Sequence, residues 1–153
     1  MDMKDANLGL RRLAINLAVL LLAIFIAAGA RADVLEGFAR QVGLHDVAGF
    51  VETVRSLDRD RKLPARYATK EEAGRLGWSP GKDLWAVAPG RSIGGDRFGN
   101  RERLLPAASG RRFFEADLDY RGGRRGARRL VWSTDGLRWV TMDHYRSFHE
   151  VPR

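Results

Sequence analysis

Between Arg111 and Tyr145 the chain places one glutamate among strand-forming residues (Glu115), two arginines four positions apart (Arg125 and Arg129) and a histidine (His144). These side-chain types suit phosphodiester cleavage. One group takes a proton, another gives one, and fixed cations hold the phosphate while charge develops on it. Arginine fits that last duty through its planar fork and permanent charge. A plainer reading stands beside this one. Strand glutamates are commonly solvated or paired across strands, lone histidines are commonly structural, and arginine runs commonly face solvent.

Composition narrows the field. The 153 residues carry 27 Lys and Arg against 19 Asp and Glu, a formal net charge of +8. Such a balance favours acidic partners: nucleic acid, anionic lipid or an acidic protein. Cysteine is absent, which excludes a disulfide framework and a thiolate metal site. His45, His144 and His149 lack ligand-like spacing, so neither a metal nor another cofactor is expected. The length fits one domain around a single core, and a monomer is expected.

The elements that must position these residues follow an N-terminal segment of another kind. Lys4, Arg11 and Arg12 precede an apolar run, Leu13–Ala30, which Ala30-Arg31-Ala32 closes. That is the n-region, h-region and A-x-A pattern of a secretory signal. Residues 1–32 are therefore expected to be a signal peptide, cleaved near Ala32 to release a secreted domain of residues 33–153. The run also approaches the ~20 residues that span a bilayer, so an uncleaved membrane anchor is the alternative. Residues 33–153 keep 23 basic against 17 acidic residues, net +6. The positive charge thus belongs to the folded part.

Apolar residues at helical spacing (Val34, Leu35, Phe38, Val42; then Val47, Phe50, Val51, Val54, Leu57) predict two short amphipathic helices divided near Gly43. Asp58–Lys62 reads as a solvated helix end, stopped by Leu63-Pro64. Thr69 and Glu72 form the capping box of another helix, which Gly77 is placed to end. Beyond Pro89-Gly90 the period changes to two. Strands are predicted over 92–98, 111–120, 128–134, 137–142 and near Phe148, with Asp135-Gly136 as a hairpin turn. In the second of these, Phe114, Ala116, Leu118 and Tyr120 share one face; Phe113, Glu115, Asp117 and Asp119 share the other. Helices first and an antiparallel meander afterwards make an α+β fold.

Five segments in order carry a resemblance: Lys62–Trp78, Ala88–Pro106, Glu115–Tyr120, Arg124–Arg129 and Asp143–Tyr145. Together they resemble the barnase-like bacterial guanyl-specific ribonucleases, from about Phe50 to the C-terminus. The resemblance implies the microbial ribonuclease fold, with N-terminal helices packed on an antiparallel sheet. It implies Glu115 as general base, His144 as general acid, Arg125 and Arg129 as phosphate ligands, and Lys70 as the active-site lysine. Phe98–Glu102 matches the guanine-reading loop, and Tyr145 the tyrosine beside the acid. Gly99 stands where the family often has serine, and Arg124 and Arg128 add charge beyond the family's pattern.

The chemistry is coherent on its own terms. RNA carries its nucleophile, the 2′-hydroxyl beside each phosphate, so a base, an acid and cations suffice. Glu102 can accept both N–H groups of guanine's edge, while backbone N–H groups at Asn100 and Arg101 can meet O6. Phe98 and Tyr145 are candidates to stack on the unpaired base, and for Phe98 core packing is the alternative. The expected activity is metal-independent cleavage of single-stranded RNA after guanine, through a 2′,3′-cyclic phosphate. The alternatives are a basic exported domain that binds RNA or another polyanion without cutting it, and a membrane-anchored, toxin-like ribonuclease if Leu13–Ala30 stays in place. By analogy with the barnase–barstar pair, an acidic barstar-like inhibitor is an implied partner.

Cleavage after Ala32 predicts an exported chain that begins at Asp33. N-terminal sequencing of the exported product checks this, and a full-length membrane-bound product would establish the anchor instead.

Overall fold

The change from a helical to a two-residue period divides the fold as it divides the sequence. The computed structural model describes the backbone of residues 3–153, and the side chains of residues 13–153 other than 14, 25, 28 and 32. The side chains of Lys4, Arg11, Arg12 and Ala32, on which the signal reading partly rests, lie outside the described residues. The chain forms two compact units, the first ending at Leu35 and the second spanning Glu36–Arg153.

Helix α1 (Met3–Val42) begins in the first unit and ends in the second. The first of the two expected short helices is thus the last part of a 40-residue one. Leucine, alanine and isoleucine run into the later amphipathic stretch with no proline to stop the helix. Leu17, Val19, Leu20, Leu21, Leu22, Ile24 and Ile26 are all exposed. By length and composition Ile15–Val42, with hydropathy 2.1, is able to cross a membrane.

At Gly43 the chain turns as the sequence indicates. Its φ of +85° suits glycine, and Leu44 N–H closes onto Ala39 O at 2.9 Å. Helix α2 (Val47–Asp60) is capped by Asp46, whose carboxylate accepts from Gly49 N–H at 2.9 Å. It buries Phe50, Val51, Val54 and Leu57, and Phe38 of α1 packs on Phe50 with ring centroids 5.9 Å apart. Helix α3 (Lys70–Arg75) has the expected capping box of Thr69 and Glu72, and Gly77 follows it at φ +97°. The expected solvated helix end is partly engaged, because Asp58 pairs with the buried Arg138.

Six strands form one sheet in sequence order: β1 (Tyr67–Ala68), β2 (Ser92–Phe98), β3 (Phe113–Asp117), β4 (Arg129–Ser133), β5 (Arg138–Thr141) and β6 (His149–Glu150). From β2 to β6 every pairing is antiparallel. The two-residue β1, too short for a pattern, pairs with β2 in parallel. Gly94 permits that approach, because a Cβ there would lie 2.7 Å from Tyr67 Cδ1 and 2.8 Å from Ala116 Cβ. Across the strands Glu115, Val131 and Trp139 stand in one row, and Asp117, Arg129 and Thr141 in the next. Phe113, Val131, Trp139 and Leu105 make a buried cluster beside these polar residues. The opposite face holds Ala116, Leu130 and Val140, all buried.

Asp119, one residue into the chain after Leu118, joins helix to sheet. Its carboxylate accepts from His45 N–H and Asp46 N–H at the start of α2 and pairs with Arg128, leaving its side chain 5% exposed. Arg128, surplus to the family's pattern, thus has a structural partner. Burial raises the carboxyl's pKa, but the two N–H bonds and Arg128 outweigh it, and the net shift is downward from 3.8. A depressed folded-state value means that the stabilisation is complete above 3.8 and is lost as the pH falls through the lower, folded value. Asp119→Ala is expected to lower stability at neutral pH by about 2–4 kcal/mol, since it orphans two N–H groups and a half-buried guanidinium. Urea unfolding of both proteins from pH 7 downwards checks it, and the difference should narrow in acid.

Candidate active site

Glu115 sits at the centre of β3, between Asp96 of β2 and Val131 of β4. It is 7% exposed, and a buried carboxylate must find donors. Lys70 Nζ donates to Oε1 at 3.0 Å, and Tyr145 Oη donates to Oε2 at 2.6 Å. Each carboxylate oxygen therefore keeps lone-pair capacity for one further proton. Lys70 reaches Glu115 from the first turn of α3, whose start is fixed by the capping box and by Asp96, which accepts from Lys70 N–H at 3.0 Å. The bulge between Gly94 and Asp96 gives Asp96 its place.

The two arginines are held by a residue the sequence reading placed on the right face but gave no duty. Asp117, two positions beyond Glu115 and 2% exposed, takes a forked bond from Arg125, with Nε at 2.7 Å and Nη2 at 2.6 Å. Arg129 Nε lies 2.9 Å from Asp117 Oδ1, an ion pair outside hydrogen-bond alignment, so this buried Nε has no hydrogen-bond partner. Arg129 Nη1 donates instead to Gly126 O at 2.8 Å and Arg128 O at 2.7 Å. For Arg125, burial opposes the charge, yet its bonds to Asp117 prevail and its pKa rises. The i, i+2 spacing from Glu115 was the available signal for Asp117, since it puts two carboxylates on one strand face.

His144 is exposed at a bend where both it and Tyr145 have positive φ, 58° and 70°. Asp143 shapes that bend: its carboxylate accepts from Thr141 Oγ1, Arg146 N–H, Ser147 N–H and Ser147 Oγ. These bonds, Ser147's hydroxyl first, bring its pKa down from 3.8 to about 2. His144 N–H donates to Ala127 O at 3.2 Å. Burial, and next the Glu115 carboxylate, raise the Tyr145 phenol above its ordinary value of 10.0, so it stays a donor.

Lys70, Arg124, Arg125, Arg129 and His144 line one cleft of about 460 Å³, with Trp78 at its wall. Among the described residues no carboxylate lines it, so it is a place for an anion. Phe98, Asn100, Arg101 and Glu102 lie outside that cleft. Asn100 folds its own loop, donating from Nδ2 to Leu105 O at 2.9 Å and accepting at Oδ1 from Leu105 N–H at 3.1 Å. Arg101 and Glu102 are exposed at the loop's tip. Phe98 packs on the buried cluster and stacks on Tyr145 with centroids 5.0 Å apart. Core packing therefore occupies part of both rings, and the loop is linked to Lys70 at the cleft through Phe98, Tyr145 and Glu115, which themselves lie outside its lining.

An α+β sheet with a buried carboxylate, cationic side chains and a histidine gathered on one face is chemistry that suits an anionic ligand such as a phosphodiester. The comparisons specify the class. A family model described as ribonuclease matches residues 52–152. A ribonuclease of Heyndrickxia coagulans is 52% identical over 96 residues, covering 62% of this chain and 88% of that one. Ribonucleases of Bacillus intermedius and Bacillus pumilus are each 52% identical over 96 residues, and the match spans 59% of their length. The chain belongs to the barnase-like bacterial ribonuclease family.

Removal of Asp117 strands two cations, one of them almost wholly buried. Asp117→Ala is expected to cost about 3–5 kcal/mol, more than Asp117→Asn, which keeps one acceptor for Arg125. Equilibrium urea unfolding checks the order and size. A loss for Asp117→Ala under ~1 kcal/mol would mean that the arginines do not depend on it.

Proposed function

We propose that the protein is an endoribonuclease that cuts single-stranded RNA after guanine, forms a 2′,3′-cyclic phosphate and then opens it with water. The observation that carries this reading is the buried Glu115, held by Lys70 and Tyr145 on the sheet face whose cationic cleft includes His144. Glu115 takes the proton of the 2′-hydroxyl as O2′ attacks phosphorus. His144 gives a proton to the departing O5′. Arg125 keeps Nη1 clear of its bonds to Asp117, for the phosphoryl oxygens; Arg129 and Lys70 add two further charges. In the second step the roles reverse: His144 takes a proton from water, and Glu115 returns one to O2′.

Base choice falls to the loop after β2. Its backbone is fixed by Asn100, and the exposed Glu102 has no ion-pair partner among the described residues. Its carboxylate is free to accept both N–H groups of guanine. We read residues 1–32 as an export signal and 33–153 as the ribonuclease domain, supported by the exposed apolar side chains of α1 and by Ala30-Arg31-Ala32. The cationic cleft is also the surface that an acidic inhibitor protein would cover.

Dinucleotide and RNA kinetics test the proposal. His144→Ala should slow RNA cyclisation by about 10²–10⁴-fold and largely spare a substrate whose leaving group needs no proton. Glu115→Ala should slow both substrates. Wild-type turnover should be bell-shaped in pH, because Glu115 must be ionised and His144 protonated. Glu102→Ala should reduce the preference for GpN over ApN by ~1–3 kcal/mol, by analogy with bidentate base contacts in the major groove. Near-full activity of His144→Ala on RNA would overturn the acid assignment; equal losses on every base would overturn that of Glu102.

A further inference from the structure

The sheet face opposite Glu115 carries a row that the proposed chemistry does not use. Arg97 of β2, Phe114 of β3, Trp132 of β4 and Arg138 of β5 are successive cross-strand partners, so their side chains line up across four strands. The Phe114 and Trp132 rings stack with centroids 5.9 Å apart and planes at 25°. Arg97's guanidinium lies 5.9 Å from the Phe114 centroid. Phe113 and Trp139, on the other face, are buried; Phe114 and Trp132 are only partly buried.

Two concavities of about 390 Å³ each adjoin the stacked pair, and Phe114, Trp132 and Arg61 line both. Leu57 and Arg138 also line one; Lys62, Pro64 and Glu72 also line the other. Nearby carboxylates are already engaged. Asp58 holds Arg138, Asp60 holds Arg59, Asp135 holds Arg111, and Glu72 caps α3 through Thr69 N–H. Arg61, Lys62 and Arg97 have no carboxylate partner among the described residues. Arg61, Lys62 and Arg97 outnumber the one carboxylate in these concavities, Glu72, which is turned to the Thr69 backbone. A stacked aromatic pair among such cations matches unpaired nucleobases alternating with phosphates. Every base offers a π-face, and guanidinium groups both stack and bind phosphate.

We infer that this face is a second, non-catalytic surface for single-stranded RNA, where bases stack on Phe114 and Trp132 while Arg61, Lys62 and Arg97 meet the flanking phosphates. It rests on the reading that RNA is the molecule the front cleft cuts. Two attachment points on one long strand raise the hold on polymeric substrate without altering the chemical step.

The test is anisotropy titration of the full-length protein with a single-stranded RNA of roughly 12 nucleotides, 2′-O-methylated throughout to remove the nucleophile, beside hydrolysis of a GpN dinucleotide. Phe114→Leu/Trp132→Leu keeps apolar cover and removes the stacking faces. Arg61→Ala/Arg97→Ala changes two exposed side chains that have no carboxylate partner among the described residues. Each double variant should weaken oligomer binding on the order of tenfold, and the arginine variant should lower the salt dependence as well. Dinucleotide hydrolysis should stay at the wild-type rate. Wild-type oligomer affinity in the arginine variant overturns the proposal, whatever the aromatic variant does. So does oligomer binding that is lost in Arg125→Ala and kept in both platform variants. If the wild type fails to cleave the dinucleotide, the catalytic reading falls, while the titration still decides this surface.

Discussion

A carboxylate buried in a sheet must be neutralised where it stands, and Asp117 is the one on which the cationic side of this protein depends. At 2% exposure it cannot be left to water. Arg125 and Arg129 supply the compensating charge, and in doing so they are fixed beside the cleft. The backbone around Asp117 is fixed too, because its carbonyl accepts from Tyr67 Oη at 3.1 Å. One acid thus ties the short first strand, the sheet's centre and the loop before β4 together. Without it, two guanidinium groups would stand unneutralised, one of them almost wholly buried.

Glu115 and Asp117 show how identical groups on one strand face acquire different duties. Asp117 has two guanidinium neighbours and its oxygens are engaged by them. Glu115 has one ammonium and one phenol, which donate to different oxygens. The first carboxylate is a fixed counter-charge. The second retains capacity to accept a proton. The difference lies in what the neighbouring strands and α3 place opposite each of them.

Backbone strain gathers where side chains must be aimed. His144 and Tyr145 both have positive φ, a region that non-glycine residues visit at a cost of about 1 kcal/mol or more each. Asp143 holds that bend, with Thr141 Oγ1 receiving Tyr145 N–H at 2.9 Å. Asn100 performs a similar service at φ 44° in the loop after β2. In each case a short polar side chain satisfies backbone groups that the turn leaves without partners. The result is an exposed tip on a rigid base, which suits groups that must meet a ligand.

Much of this was legible from the chain alone. The capping box at Thr69 and Glu72, the turns at Gly43, Gly77 and Gly136, and the strands from Ser92 onward depend on local pattern and local backbone preference, which sequence carries directly. Alternation also put Glu115 and Asp117 on one face. Three things were not legible. The strand at Tyr67 and Ala68 is too short for a pattern and exists because Gly94 lets it approach. The helix through Leu13–Val42 is one element, since amphipathic and wholly apolar stretches have different hydropathy but the same backbone geometry. The partners of buried charge were hidden as well: Asp117 with its two arginines, Asp119 with Arg128 and the start of α2. Those pairings join residues up to 74 positions apart, and which charge meets which follows from strand register and helix placement. Periodicity determined the faces; only the folded chain decided what stands across from each of them.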